Sequence, residues 1–187
     1  GNTATLSLPG SSPEDVAVTP DGSLIFVSSL ENRPFNGGSR GVIYTIEAAS
    51  FTVVDEVLVE DDPEGLVISE DGNQLWLASD LKVQELEIKD GVGSFILTDV
   101  IDGIDGTDDY EGVAVTTDKS TLFATNDAAS HVDVIDLATE TVTTTVATGT
   151  SPEELAMRAG TNEVHVTNQG ANSITIFSTD TNAVLDT

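Results

Sequence analysis

Four glutamates, Glu14, Glu64, Glu111 and Glu153, stand third in four copies of one pattern: "SPEDVAVTPDGSLIFVSS", "DPEGLVISEDGNQLWLAS", "DYEGVAVTTDKSTLFATN" and "SPEELAMRAGTNEVHVTN". Fifteen residues after each glutamate comes a further oxygen donor: Ser29, Ser79, Asn126 and Asn168. Asp80 and Asp127 follow in two of the copies. Carboxylates brought together repel unless a cation sits among them or some take up protons. An all-oxygen set without thiolate or imidazole suits Ca²⁺, and more weakly Mg²⁺. The chemistry expected of these residues is therefore capture of a cation or a polar solute. A glutamate that caps local backbone donors, or stands in water, is the plainer account. Duplication alone would carry such a residue into every copy.

Two insertions border the same positions. "TDVIDGIDGTDDYE" (residues 98–111) brings Asp102, Asp105 and Asp108 between glycines, a composition able to wrap a calcium ion. It lacks the twelve-residue EF-hand spacing, and a solvated acidic loop explains it as well. "LENRPFNGGSR" (residues 30–40) holds Arg33 and Arg40, whose guanidinium groups could pair with the glutamates or hold a substrate carboxylate. Phe35 is a lid contact in that reading, and Asn126 and Asn168 face the same ligand side. A solubilising loop is the simpler alternative. No nucleophile emerges. "GGSRG" (residues 37–41) fits G-x-S-x-G, but that motif needs a strand-to-helix elbow and "VIYTIEA" reads as strand. His165 takes the place of Phe26, Trp76 and Phe123 and is expected to pack as a ring. His131 with Ser130 and Asp133 makes no triad by spacing. With no cysteine, thiolates, disulfides and zinc-type sulfur sites are excluded.

What positions these residues is a repeated sheet. Seven residues after the glutamates stand Asp21, Asp71, Asp118 and Gly160, with Gly or Lys next in the first three copies, a turn signature. Apolar runs flank each turn, rich in β-branched and aromatic residues, so each copy contains a hairpin. Val16 and Val18 alternate with Ala17, and Leu66 and Ile68 with Val67, so both faces of the first strand are apolar and both are buried. Two further strands follow in most copies, as in "GVIYTIEA" and "FTVVDEVLV". No segment keeps a helical period. Four strands per repeat, at glutamate spacings of 50, 47 and 42 residues, define propeller blades. A β-helix needs shorter repeats, and a sandwich does not repeat one pattern four times. The expectation is an all-β chain, one domain over 1–187, of four four-stranded antiparallel blades starting near residues 12, 62, 109 and 151. Residues 3–8 read as an outermost strand. Either the four blades close into a ring or the domain is part of a larger propeller.

"SPEDVAVTPDGSLIFVSS", "TLFATND", "EVHVTNQ" and "HVDVIDLATETVTTTVATGTSPEEL" resemble the YVTN-type β-propeller repeats of the lactonase-like superfamily, over about residues 3–186. That family includes surface-layer proteins, solute-binding modules and a sugar-lactone hydrolase. The resemblance implies a secreted, periplasmic or cell-surface location. Its members usually carry seven blades, against four repeats here.

Composition narrows the partners. Thirty-three acidic residues against six basic give a formal net charge of −27. Nucleic acid needs a lysine and arginine footprint, so it is not an expected partner, and no run is long and apolar enough for membrane insertion. The acidic residues are spread between apolar runs, so they coat a folded body rather than form a disordered tail. A lysine-poor acidic surface suits a halophilic protein, since screening falls to about 3 Å at 1 M salt; solubility at ordinary salinity is the alternative. The partners left are a small polar solute, a cation or another protein, with a homo-oligomer or longer parent chain to complete the ring. The expected function is a non-enzymatic binding or scaffold propeller, with Ca²⁺ as the one cofactor in view. The alternative is a metal-assisted hydrolase of lactonase or phosphoesterase type, with Glu111 or Asp127 as base.

Overall fold

A computed structural model describes residues 4–9, 12–35, 38–60, 62–89, 94–102 and 109–187, with backbone alone for 31–35, 38–40, 60, 89, 94–100 and 102. The described residues form sixteen strands in four antiparallel sheets, each sheet ordered as the chain runs. The first holds β1 (Ser12–Val18), β2 (Leu24–Phe35), β3 (Gly38–Glu47) and β4 (Thr52–Glu60). The second holds β5 (Pro63–Ile68), β6 (Gln74–Ser79), β7 (Lys82–Lys89) and β8 (Ser94–Asp102). The third holds β9 (Tyr110–Val115), β10 (Thr121–Asn126), β11 (His131–Asp136) and β12 (Thr141–Ala147). The fourth holds β13 (Pro152–Met157), β14 (Glu163–Asn168), β15 (Ser173–Ser178) and β16 (Val184–Asp186).

Each hairpin turn follows from a short polar code. Asp21 accepts from the Thr19 hydroxyl at 2.6 Å and from the Ser23 backbone at 3.0 Å. Asp71 and Asp118 repeat this with Ser69 and Thr116. These bonds stabilise the carboxylate form, holding Asp21 down at about 2. Gly22 stands at φ 71°, a left-handed position that costs other residues strain. Lys119 takes the same place in the third blade and reaches Asp71 at 2.7 Å, tying two neighbouring turns together.

The apolar patterning on both faces is explained by packing between blades. β1 packs on β5, β5 on β9 and β9 on β13; no comparable packing joins β13 to β1 among the described residues. One apolar cluster fills each junction. Phe26, Ile43 and Leu66 lie in the first, Trp76, Val83 and Val113 in the second, Phe123, Val132 and Leu155 in the third. Phe123 also meets Phe177 edge-on, at 5.4 Å between centroids. Each fully buried large side chain contributes about 1.5–3 kcal/mol of transfer free energy. The chain is thus a β-propeller assembly of four blades about an axis lined by β1, β5, β9 and β13.

Three expectations are corrected. Of the first strand only the Ala17 face is buried, while Val16 and Val18 are 57% and 48% exposed because no described blade packs on that face. Residues 4–8 form no strand. The outermost place in the last sheet belongs to β16, which pairs Val184 with Phe177 and Asp186 with Ile176. His165 is not a packed ring: its side chain is 36% exposed and lies 3.5 Å from Glu163. Phe26, Trp76 and Phe123 each lie in a cluster with the following blade, and among the described residues no blade lies over His165.

Candidate acidic rim

Hydroxyl bridges fix the start of the first strand at two of the three blade junctions, before Glu64 and before Glu153; at the junction before Glu111 the matching residue is Ala78. Ser28, fourteen residues after Glu14, accepts from the Asp15 backbone at 2.9 Å and donates to the carbonyl of Glu64 at 2.8 Å. Thr125 repeats the arrangement, accepting from Gly112 at 2.7 Å and donating to the carbonyl of Glu153 at 2.5 Å. Asp15 adds a side-chain bridge, accepting from the Leu66 backbone at 2.7 Å. The next blade's leading glutamate is therefore held through its backbone, and its side chain is left to the rim.

Glycine sets how closely the strands approach. A Cβ on Gly65 would stand 2.6 Å from the Glu111 carbonyl, and one on Gly112 2.9 Å from that of Glu153. Each of these glycines directly follows a rim glutamate, so close strand approach and carboxylate crowding have one origin. Tyr110 also donates to the Asp80 carbonyl at 3.2 Å and Asp127 to that of Asp109 at 2.8 Å, which draws both aspartates to the same end.

The electrostatics record this gathering. Glu64 is pushed up to about 8, first by burial and then by Glu111, Glu14, Asp80 and Asp62. Glu111 is pushed up to about 7, first by burial and then by Asp109, Glu153, Asp127 and Asp80. Burial and Asp127 raise Asp109. Burial also raises Glu154, with Asp15 and Glu153 adding to it. All six rim residues expected from the sequence (Glu14, Glu64, Glu111, Glu153, Asp80 and Asp127) take part in this mutual field. Its oxygens suit a hard cation, yet among the described residues no three of His, Cys, Asp and Glu converge closely enough to hold a metal ion.

The other expected residues fare differently. Asn126 and Asn168 are buried. Asn126 accepts from the Ala129 backbone at 3.1 Å, and Asn168 donates to Ser173 and Thr175. Asp105 and Asp108 lie outside the described residues, as do the side chains of Asp102, Arg33, Phe35, Arg40 and Ser39. Asp133, set beside His131 and Ser130 in the sequence but given no role there, is fully buried, accepts from Tyr110 at 2.5 Å and faces His131 at 3.0 Å. The signal was available: residues two apart on a strand share a face, so His131 and Asp133 had to meet.

No family model and no curated protein matches the chain. Solved structures do. A functionally unknown protein from Desulfotomaculum acetoxidans DSM 771 is 16% identical, with a TM-score of 0.78 over 98% of this chain and 57% of that one. The Cps50 (Swd1) β-propeller domain of Myceliophteria thermophila is 9% identical, with a TM-score of 0.70 over 88% and 50%. A protein from Bacteroides fragilis NCTC 9343, with 6-phosphogluconolactonase as its proposed activity, is 17% identical, with a TM-score of 0.71 over 93% and 53%. At these identities the likeness establishes the propeller fold alone. The chain spans 50–57% of the length of these three structures.

Proposed function

We propose that the chain is a non-enzymatic binding or scaffold propeller whose acidic rim takes up a cation or a cationic polar solute. One observation carries the reading: Glu64 and Glu111 are raised to about 8 and about 7 by burial and by carboxylates of their own and neighbouring blades. A positive ligand relieves this repulsion and displaces the protons. With no three carboxylates close enough for direct ligation among the described residues, a hydrated Ca²⁺ or a solute spanning neighbouring blades fits better than a stripped ion. An extracytoplasmic setting (secreted, periplasmic or cell surface) belongs to the same proposal and rests on the sequence resemblance.

Calorimetric titration with Ca²⁺ at pH 7, in two buffers of different ionisation enthalpy, tests it. Binding with proton release is expected, and Glu64→Gln with Glu111→Gln should abolish most of the heat. No heat from the wild type, or an unchanged titration in the double variant, contradicts the proposal. A second reading has one favouring observation. A carboxylate near 7 is well placed to act as a general base, so Glu111 suits a metal-assisted lactonase or phosphoesterase. Turnover of a lactone and phosphoester panel that is lost in Glu111→Gln would support it; no turnover leaves binding as the function.

A further inference from the structure

The face opposite the rim carries the hairpin turns, since the leading glutamates stand near the start of each first strand and the turns follow its end. In three of these turns one carboxylate oxygen holds the loop. Oδ1 of Asp21 accepts from the Thr19 hydroxyl and from Ser23, Oδ1 of Asp71 from the Ser69 hydroxyl and Asn73, and Oδ1 of Asp118 from the Thr116 hydroxyl and Ser120. The second oxygen is left for another partner, and Asp71 has one. Its Oδ2 takes the Lys119 ammonium of the next blade at 2.7 Å. Oδ2 of Asp21 and Oδ2 of Asp118 accept from none of the described residues.

Lys119 stands eight residues after its leading glutamate, where the second blade has Gly72 and the fourth has Thr161. The ammonium that ties the second turn to the third therefore has no counterpart at the junctions on either side. At each of those a cleft is present instead. One, of about 290 Å³, lies between the first two turns, with Asp21, Asp71 and Gly72 beside Leu24 and Ile88. The other, of about 430 Å³, lies between the third and fourth turns, with Asp118, Thr161 and Asp180 beside Met157. Arg158, in the fourth turn, is engaged by Glu163 at 2.9 Å. Each cleft thus sets an anionic oxygen next to an apolar wall, which are the two needs of an alkyl chain that ends in an ammonium. Hydrogen bonds from their turns hold Asp21 down at about 2 and lower Asp118, so both are anionic at neutral pH.

We propose that these two clefts bind alkylammonium groups in the way that Asp71 binds Lys119. The ammonium sits on Oδ2 of Asp21 or of Asp118, and the alkyl chain lies against Leu24 and Ile88 or against Met157. The ligand is a small primary amine or the lysine side chain of a partner. These clefts lie at the other end of the first strands from the rim, and they stand whether or not the rim takes a cation.

Amide proton–nitrogen NMR under titration at constant ionic strength tests this, in a chain carrying Glu64→Gln and Glu111→Gln so that the rim does not contribute. The probes are n-butylammonium and Nα-acetyl-lysine methylamide, with tetramethylammonium, which donates no hydrogen bond, as the control. The Ser23 and Ser120 amides, bonded to Asp21 and Asp118, are expected to shift saturably, and roughly fivefold more weakly with the control. The Asn73 amide, bonded to the occupied Asp71, should stay still. Gly72→Lys sets an ammonium at the first cleft, at a φ of 73° against 55° for Lys119 and with its Cβ 3.3 Å from Pro20. It should silence Ser23 and leave Ser120 responsive. Lys119→Gln should make Asn73 respond, a gain that misfolding cannot imitate. Saturation by n-butylammonium assigns a free amine, and saturation by the lysine derivative alone assigns a partner's side chain. No saturable shift with either probe overturns the proposal, as does equal affinity for tetramethylammonium or a Ser23 response that survives Gly72→Lys.

Discussion

At the scale of single residues, protonation is the property that separates the rim from the rest of the acidic surface. Folding raises Glu64 and Glu111, so the folded chain holds protons that the unfolded chain releases near 4.5. Stability therefore falls as pH rises from about 4.5 to about 8, and the penalty is absent below that window. Both groups are half exposed, so screening reduces the effect to on the order of 1–2 kcal/mol. Thermal melts from pH 5 to 8.5 should show a declining midpoint, flattened by Glu64→Gln with Glu111→Gln; a midpoint that rises across this range contradicts it. Asp21 works in the opposite sense and only in acid, since its hydrogen-bonded carboxylate is lost as pH falls toward about 2. Thr125 tests the junction itself. Thr125→Val removes the partner of the Gly112 backbone donor, and urea unfolding should report a loss of about 1–3 kcal/mol.

At the scale of elements, glycine and turn chemistry set the geometry. Gly65→Ala places a methyl against the Glu111 carbonyl and should cost about 1–3 kcal/mol by overpacking. Gly22→Ala meets no atom within 4 Å, so its cost of about 1 kcal/mol would come from the left-handed backbone alone. Equal losses at the two sites would show that crowding between inner strands is not limiting. The strands were legible because runs such as Leu66, Val67 and Ile68 leave no polar face, as a sheet between two sheets requires; in the first blade the same pattern misled, since Val16 and Val18 are exposed. The turns were legible because Asp21, Asp71 and Asp118 recur in register. The reach of Asp15 to Leu66, and the burial of Asp133 under Tyr110, were not. Those contacts depend on how neighbouring sheets meet, and strand alternation does not encode that.

At the scale of the whole molecule, repetition alone placed the leading glutamates on one rim, and the mutual field of Glu14, Glu64, Glu111 and Glu153 agrees with that placement. The exposure of Val16 and Ile174 could not be read ahead, because both stand in registers that are buried elsewhere. Salt should act on the whole chain. Screening lengths near 3 Å at 1 M relieve the repulsion of 33 acidic residues, so the melting midpoint should rise with KCl. A midpoint that is flat or falls with KCl would show that surface repulsion does not govern stability.

The most direct measurement is a carbon-13 carboxyl titration of Glu64 and Glu111 by NMR, with and without Ca²⁺. A rim crowded by its own carboxylates predicts both midpoints above 6 in the absence of the ion and a fall toward ordinary glutamate values in its presence. Midpoints near 4.5 in both conditions would contradict it.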